Sequence, residues 1–390
     1  MKRIIALLLA LGLLCEVQAR TEKRLYRVSV DGVRTECPVV IGDVPDWAAS
    51  AEVTGGGRKI ACQLDRPLGE LVFLDDVSGS RTYRVTFSSK PPKRLPAPRV
   101  HAQMWWENPD KTLRAADTLA SGKDDMYHKL HHHGPAFESE RAAYRIYFDK
   151  KQTVDTYGKK RQRLELAETM WYPSDEQLAA GYGHDNLRVF GSVGVGVLKG
   201  WDPEKRRMIH ITGMKRREAR ILARGPLRTV VEMRVEGWRY GGREIAMTSR
   251  YILYAGHGDV RVENRFEGDV QGLVFTTGVM KMAEHEVRRE GPVAGVLGRD
   301  FPENDTLKWE RERVALAVAV PQAQVVSEID DPTSYLYQLT PDDRGRIDCA
   351  FEMIWRKSEW LAALSDGELL DAAMRNVRRE LRPAEVVRVR

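Results

Sequence analysis

His128, His131, His132 and His133 place four of the chain's nine histidines within six positions, in the stretch MYHKLHHHGPAFESERAAYRIYFDKKQTVDTYGKK (126–160). An imidazole changes charge near neutral pH, so it can act as base, acid or carboxylate partner. Arg141 and Arg145 follow, and a guanidinium holds a carboxylate through paired N–H donors. Tyr144, Tyr147 and Tyr157 can exchange a proton once neighbouring cations lower a phenol pKa that starts at about 10. The stretch therefore has the residue types for moving a proton beside a bound acid. A metal is the rival use for the histidines. His131 and His133 with Glu138 or Glu140 have suitable atoms, but adjacent histidines on a strand point apart and no HExxH spacing exists. No metal or other cofactor is expected. There is no GxSxG for a nucleophilic serine. GSVGVGVLKG (191–200) lacks the GKS/T end of a phosphate loop.

These side chains need a scaffold. Alternate residues of a strand share a face. Arg141, Ala143, Arg145 and Tyr147 then lie on one face, and Ala142, Tyr144, Ile146 and Phe148 on the other. Ile146 and Phe148 suit a core, so Arg145 and Tyr147 project into a polar space. If residues 131–133 are extended, His131 and His133 share a side and His132 faces away. Gly134-Pro135 then ends the strand. Tyr157-Gly158-Lys159 reads first as a plain turn, with Lys159 as a carboxylate contact the lesser alternative. Tyr182 and His184 sit on the Gly-bounded loop AAGYGHDN (179–186), where binding groups concentrate. Trp105, Trp106 and Trp171 can stack on sugar rings or fill a core.

Further along, VVEMRVEGW (230–238), EIAMTSRYILY (244–254) and DVRVENRF (259–266) alternate apolar and charged residues, joined by Gly-containing turns. This period of two predicts an antiparallel meander with one buried face. Ser365 and Glu368 have capping-box spacing, and Leu369, Leu370, Ala373, Met374, Val377 and Leu381 recur at helical intervals before Pro383. The chain is expected to be all-β: a small β-sandwich at 20–90, a Pro-rich linker at 91–100, and a large antiparallel supersandwich at 101–390 with a C-terminal helix.

The chain has 390 residues, 42% hydrophobic and 30% charged, an ordinary globular composition. Residues 1–19 have a basic start, an apolar run from Ile4 to Leu14, and small residues at Val17 and Ala19, which predict a signal peptide cleaved after Ala19. A soluble periplasmic or secreted product is expected over a lipoprotein at Cys15, because Leu14 is large for the residue before a lipidated cysteine. No membrane association is expected after cleavage. Losing Lys2, Arg3 and Glu16 takes the net charge from +6 to +5. Basic and acidic residues are interspersed and no nucleic-acid motif occurs, so an acidic oligosaccharide or polysaccharide is the expected partner, not nucleic acid. Cys37 and Cys62 are read either as a disulfide or as two buried thiols.

The run HHHGPAFESERAAYRIYFDKKQTVDTYGKK (131–160) resembles the signature of a family of exported bacterial proteins catalogued as a domain of unknown function. ELAETMWYPSDEQLAAGYGHDNLRVFGSVGVGVLKGW (165–201), GRDFPENDT (298–306) and QLDRPLGELVFLDDVSGSRTYRVTF (63–87) extend the resemblance over most of the chain. The resemblance implies a galactose-mutarotase-like supersandwich, the fold of polysaccharide lyases and sugar epimerases. It also implies a place in uronic-acid polysaccharide degradation, in a group that includes an oligosaccharide dehydratase.

On that footing the chemistry is β-elimination at a uronic acid. The carboxylate must be neutralised, a base must reach H5, and an acid must protonate the oxygen leaving C4. A departing sugar makes the enzyme a lyase, and a departing hydroxyl makes it a dehydratase. His132, His133, Tyr144, Arg145 and Tyr147 are the expected catalytic residues. His132 or a tyrosine would be the base, and Arg145 with His133 would hold the carboxylate. His131, Glu138, Arg141, Tyr157, Lys159, Tyr182 and His184 are the expected substrate contacts. A non-catalytic carbohydrate binder, an epimerase or mutarotase, and a glycoside hydrolase using Glu138 and Glu140 are the alternatives.

Overall fold

A computed structural model describes residues 20–302 and 306–389. The expected leader, its cleavage point after Ala19, and Cys15 lie outside them. The described chain is almost entirely antiparallel β-sheet. Among the described residues no helix is long and apolar enough to cross a membrane.

The alternating segments form the strands their period requires. Arg228–Tyr240, Arg243–Tyr254 and Val260–Glu267 are neighbours in a nine-stranded sheet. Val231, Met233 and Val235 are buried on its inner face. Glu232, on the opposite face, is buried too, with Arg220 Nε (3.0 Å) and Arg250 Nε (2.7 Å) donating to its two oxygens. Two five-stranded sheets share one apolar core with the nine-stranded sheet.

The helix spans Asp366–Glu380, started by the Ser365/Glu368 capping box. Its apolar stripe, Leu369, Leu370, Ala373, Met374 and Val377, covers Val293, Ala315, Ala317 and Ala350 on the nine-stranded sheet. Small residues there let the helix approach closely.

The N-terminal unit is a six-stranded sheet built on two long strands, Thr21–Ile41 and Glu70–Ser88. Bulges between Ser29 and Val33 and between Arg34 and Cys37 interrupt their register. One apolar cluster joins Tyr26 and Val28 to Val39 and Ile41, so each long strand bends around its own core. The sheet draws its edge strand from the far end of the chain: Glu385–Val389 pairs with Leu25–Ser29. Residues 89–99 form neither strand nor helix. Cys37, Cys62 and Cys349 are free thiols.

Candidate active site

The site is built on the sheet ordered His184–Asp185, Val154–Gly158, Ala142–Ile146, Ala136–Ser139, Val100–Gln103. Tyr144, Ile146 and Phe148 enter the shared core, as the alternation requires. On the other face Arg145 lies directly across from Asp155, and Tyr157 across from Asp185. One end of that face is covered by Leu166 and Trp171 packing on Ala136, Ala143 and Tyr157. The other end opens into a cleft of about 650 Å³ lined by Tyr127, His133, Arg145, Tyr147, Asp155, Tyr172 and Asp185, with Lys150, Lys151 and Arg188 among its cations.

Arg145, only 5% exposed, organises the floor. Its Nε and Nη2 donate to Asp155 Oδ2 at 3.0 and 2.6 Å, and Nη2 also reaches Asp185 Oδ2 at 2.9 Å. The indole of Trp171 lies under the guanidinium at 4.5 Å and donates to Asp185 Oδ2 at 3.2 Å. Burial opposes the charge of Arg145, but Asp155, Tyr147, Asp185 and Tyr172 together outweigh it and keep the guanidinium protonated. Burial, then the charge of Asp155, pushes the Asp185 carboxyl well above the usual carboxylate range. Arg145 is therefore neutralised from within, and it organises phenols rather than serving as an open carboxylate clamp.

Two phenols converge on this guanidinium. Tyr147 donates to Asp155 Oδ2 at 2.5 Å and accepts from Arg145 Nη2 at 3.1 Å. Tyr172, 46% exposed, accepts from Arg145 Nη1 at 3.0 Å. Its oxygen also lies 3.2 Å from His133 Nε2. The other ring nitrogen of His133, Nδ1, faces the Tyr127 carbonyl at 3.0 Å. A carbonyl only accepts, so Nδ1 carries the proton and Nε2 presents a lone pair. The Tyr172 hydroxyl then donates to Nε2, giving a chain Arg145 → Tyr172 → His133. The His133 ring stacks on Tyr127 at 3.6 Å. Burial, aided by Arg145, pulls its pKa down to about 4.

Backbone strain clusters at the same place. His132 and His133 have φ of 44° and 69°, and Met170 and Trp171, which precede Tyr172, have 49° and 77°. Non-glycine residues rarely adopt such values, and they concentrate at functional sites. Residues 131–133 therefore form a kinked 3₁₀ turn, not the extended run expected. Gly134 explains why the turn can sit there: a Cβ at this position would lie 1.8 Å from the Ile146 carbonyl oxygen. Gly134→Ala is expected to cost at least about 1–3 kcal/mol by overpacking and to displace His133. Urea denaturation and activity measured on the same preparation check it.

His133 also sets a pH dependence. Its pKa falls from 6.5 in the unfolded chain to about 4 in the fold, so its contribution to stability is complete above 6.5 and is lost as pH falls toward 4. His133→Asn is expected to flatten the stability–pH slope in that window, read by thermal unfolding across the pH series.

Of the expected residues, His133, Arg145 and Tyr147 line the cleft. The others do not. Tyr144 is core: its hydroxyl donates to the Gly258 carbonyl (2.6 Å) and accepts from Met353 N (3.2 Å), and burial drives its pKa well up. His132 is 1% exposed, with Nδ1–H donating to the Gly134 carbonyl (3.0 Å) and Nε2 facing the Gln103 amide (3.3 Å). Burial, with the His131 charge, keeps it neutral. It supports the turn from beneath and is absent from the cleft lining. His131, beside it, bonds the Met170 carbonyl at 3.1 Å and bears edge-on against Tyr172. Glu138 is fully buried, paired with Lys159 and accepting from Glu165 N (2.8 Å) and Leu166 N (2.9 Å). That pair holds the 165–172 segment in place and leaves neither group for a ligand. Tyr157 donates to Glu165 Oε2 at 3.0 Å beneath Trp171. Arg141 lies at separate cavities beside Glu140 and Glu352. Tyr182 bonds Glu168 under Arg163. His184 packs between Trp309 and Trp355, and its neighbour Asp185 faces the cleft instead.

Tyr172, Asp155, Asp185 and Tyr127 were not singled out from sequence. Asp155 had a signal. Asp149 Oδ1 accepts from Lys151 N (2.8 Å) and Gln152 N (2.9 Å), so a turn centres on Lys150 and folds Asp155 back across from Arg145. Tyr172 had none, since it arrives from a separate segment.

Residues 43–384 match the family described as Domain of unknown function (DUF4861), and the chain belongs to it. The resemblance seen in the histidine block is thereby matched at the level of the family. No curated protein matches the sequence. Among solved structures, the chain is similar to a protein in the glycosyl hydrolase family 38 from Enterococcus faecalis, at 7% identity and a TM-score of 0.45. That likeness covers 94% of this chain and 47% of the other. An alpha-mannosidase from Enterococcus faecalis V583 is similar at 6% identity and a TM-score of 0.45, over 94% of this chain and 46% of its own. The chain thus spans about half the length of these structures.

Proposed function

We propose that the protein catalyses β-elimination on a uronate-containing oligosaccharide, as a lyase or dehydratase. The observation that carries this reading is the chain from Arg145 through Tyr172 to the lone pair of His133, open to a cleft large enough for a sugar. Tyr172 passes its proton to His133 only as its oxygen takes H5, so no free phenolate forms, and Arg145 donates to that oxygen throughout. The Tyr172 oxygen takes H5. Its electron pair forms the C4–C5 double bond as the C4–O bond breaks. Tyr147, the second phenol at the guanidinium, supplies the proton to the departing oxygen. The substrate carboxylate faces Lys150 and Arg188 at the rim. Lys150 forms no ion pair among the described residues, whereas Arg188 shares its charge with Asp300 at 3.0 Å.

The test is a panel of uronic oligosaccharides incubated with the full chain. Elimination creates a conjugated double bond and new ultraviolet absorbance. Binding without absorbance would assign a carbohydrate-binding role instead. Deuterium uptake from solvent without a chromophore would assign an epimerase, and saturated reducing ends a hydrolase.

A further inference from the structure

Outside the cleft, the small sheet, the nine-stranded sheet and the C-terminal helix meet at three buried groups. His257 and Asp259 lie on the turn before strand Val260–Glu267, and Glu380 is the last residue of helix Asp366–Glu380. One potential ligand atom from each lies within 4.8 Å of the others. The three residues are 4%, 2% and 9% exposed.

Their orientation is built. His257 Nε2 faces the Glu36 carbonyl oxygen at 2.9 Å, so Nε2 carries a proton. Glu36 sits at the bulge of strand Thr21–Ile41 with φ of 46°, which turns its carbonyl to the ring. His257 Nδ1 is left pointing at Asp259 Oδ1, 3.1 Å away. Two further observations call for a cation. Asp259 Oδ2 is buried and has no hydrogen-bond partner among the described residues. Glu380 places a carboxylate at the C-terminal end of a helix, where the dipole repels anions. A third buried carboxylate, Glu352, is close by: a Cβ on Gly258 would meet its Oε1 at 2.7 Å. The guanidinium of Arg261 approaches the Glu380 main-chain oxygen (3.3 Å) and Asp348 (3.1 Å). Protonated His257 is the counter-charge within reach of Asp259, so a bound ion must take the place of that Nδ1 proton.

We propose that His257 Nδ1 and the carboxylates of Asp259 and Glu380 bind a divalent transition ion of the zinc class, which clasps the small sheet and the helix to the large domain. One imidazole and two carboxylates form a donor set for such an ion, whereas calcium and magnesium favour oxygen alone. The Glu36 carbonyl is the outer partner that a ligating histidine requires. An adjacent cavity of about 260 Å³ borders His257 and Glu380 and has room for water as a fourth ligand, although five arginines, Arg34, Arg228, Arg250, Arg261 and Arg379, also line it and oppose a cation's approach.

The experiment strips the full chain with chelator, then titrates Zn²⁺ by calorimetry and follows the melting temperature. One ion per chain and a higher melting temperature are expected. Asp259→Asn and Glu380→Gln should each weaken binding by at least about 10-fold, with the fold checked by circular dichroism. Glu380→Gln removes an unfavourable charge from the helix end, so this variant should fold even if Asp259→Asn does not. No zinc uptake, with a melting temperature indifferent to chelator, would overturn the clasp in favour of a shared proton. Undiminished binding by both variants would overturn it in favour of an unrelated zinc site. Neither result bears on the cleft.

Discussion

Tyr172→Phe is expected to abolish most of the elimination activity while leaving the fold intact. The substitution removes one hydroxyl from a half-exposed ring and opens no cavity; Arg145 Nη1 loses its acceptor there, but the group borders the cleft, where water can replace it. It cuts the chain from Arg145 to His133 at its centre. Loss of a positioned proton-transfer group costs about 10²–10⁴-fold in rate, and the effect should fall on kcat rather than KM. Steady-state rates from the new absorbance, beside a thermal melt, check it. Unchanged kcat would remove Tyr172 from the chemistry and with it the proposed role of His133.

Arg145→Met has the larger expected effect on stability. Asp155 is 1% and Asp185 8% exposed, and both depend on this guanidinium. Breaking a buried ion pair from one side leaves uncompensated charge and costs about 3–5 kcal/mol, a large part of the roughly 5–15 kcal/mol that holds a domain together. The sign of the pH dependence is a further check. Burial and Asp155 already raise the Asp185 carboxyl and Arg145 lowers it, so without Arg145 it rises further and the native state takes up a proton more readily than the unfolded chain as pH falls. The deficit against wild type should be full at neutral pH and shrink on acidification, as urea denaturation of both proteins will show.

Why was part of this site legible in sequence and part not? Arg145 and Tyr147 were placed correctly because strand alternation is a local rule, and Ile146 and Phe148 named the core face. The same rule put Tyr144 in the core with them. Its phenol looked chemically useful, but its hydroxyl is occupied by main-chain atoms of Gly258 and Met353, far away in sequence. Glu138 and Lys159 misled for a related reason: charges in a polar stretch read as ligand contacts, yet they satisfy each other beneath the 165–172 segment. The facing of the histidines was not legible, because it depends on whether the run is extended, and it is a kinked turn. Positive φ at His132 and His133 turns His133, alone of the three, to the cleft wall. The all-β class and the C-terminal helix were readable because period, caps and turns are encoded over short spans. The three-sided meeting of His257, Asp259 and Glu380 depends on contacts more than a hundred residues apart.

The pairing of Glu385–Val389 with Leu25–Ser29 has a consequence for biosynthesis. Strand Thr21–Ile41 is synthesised well before Glu385–Val389, so its outer edge stays uncovered until that strand follows. During that interval its free N–H and C=O groups are open to any passing strand, including another nascent copy. A holdase acting on this chain should therefore engage residues 25–29, and its release should follow the emergence of Glu385–Val389.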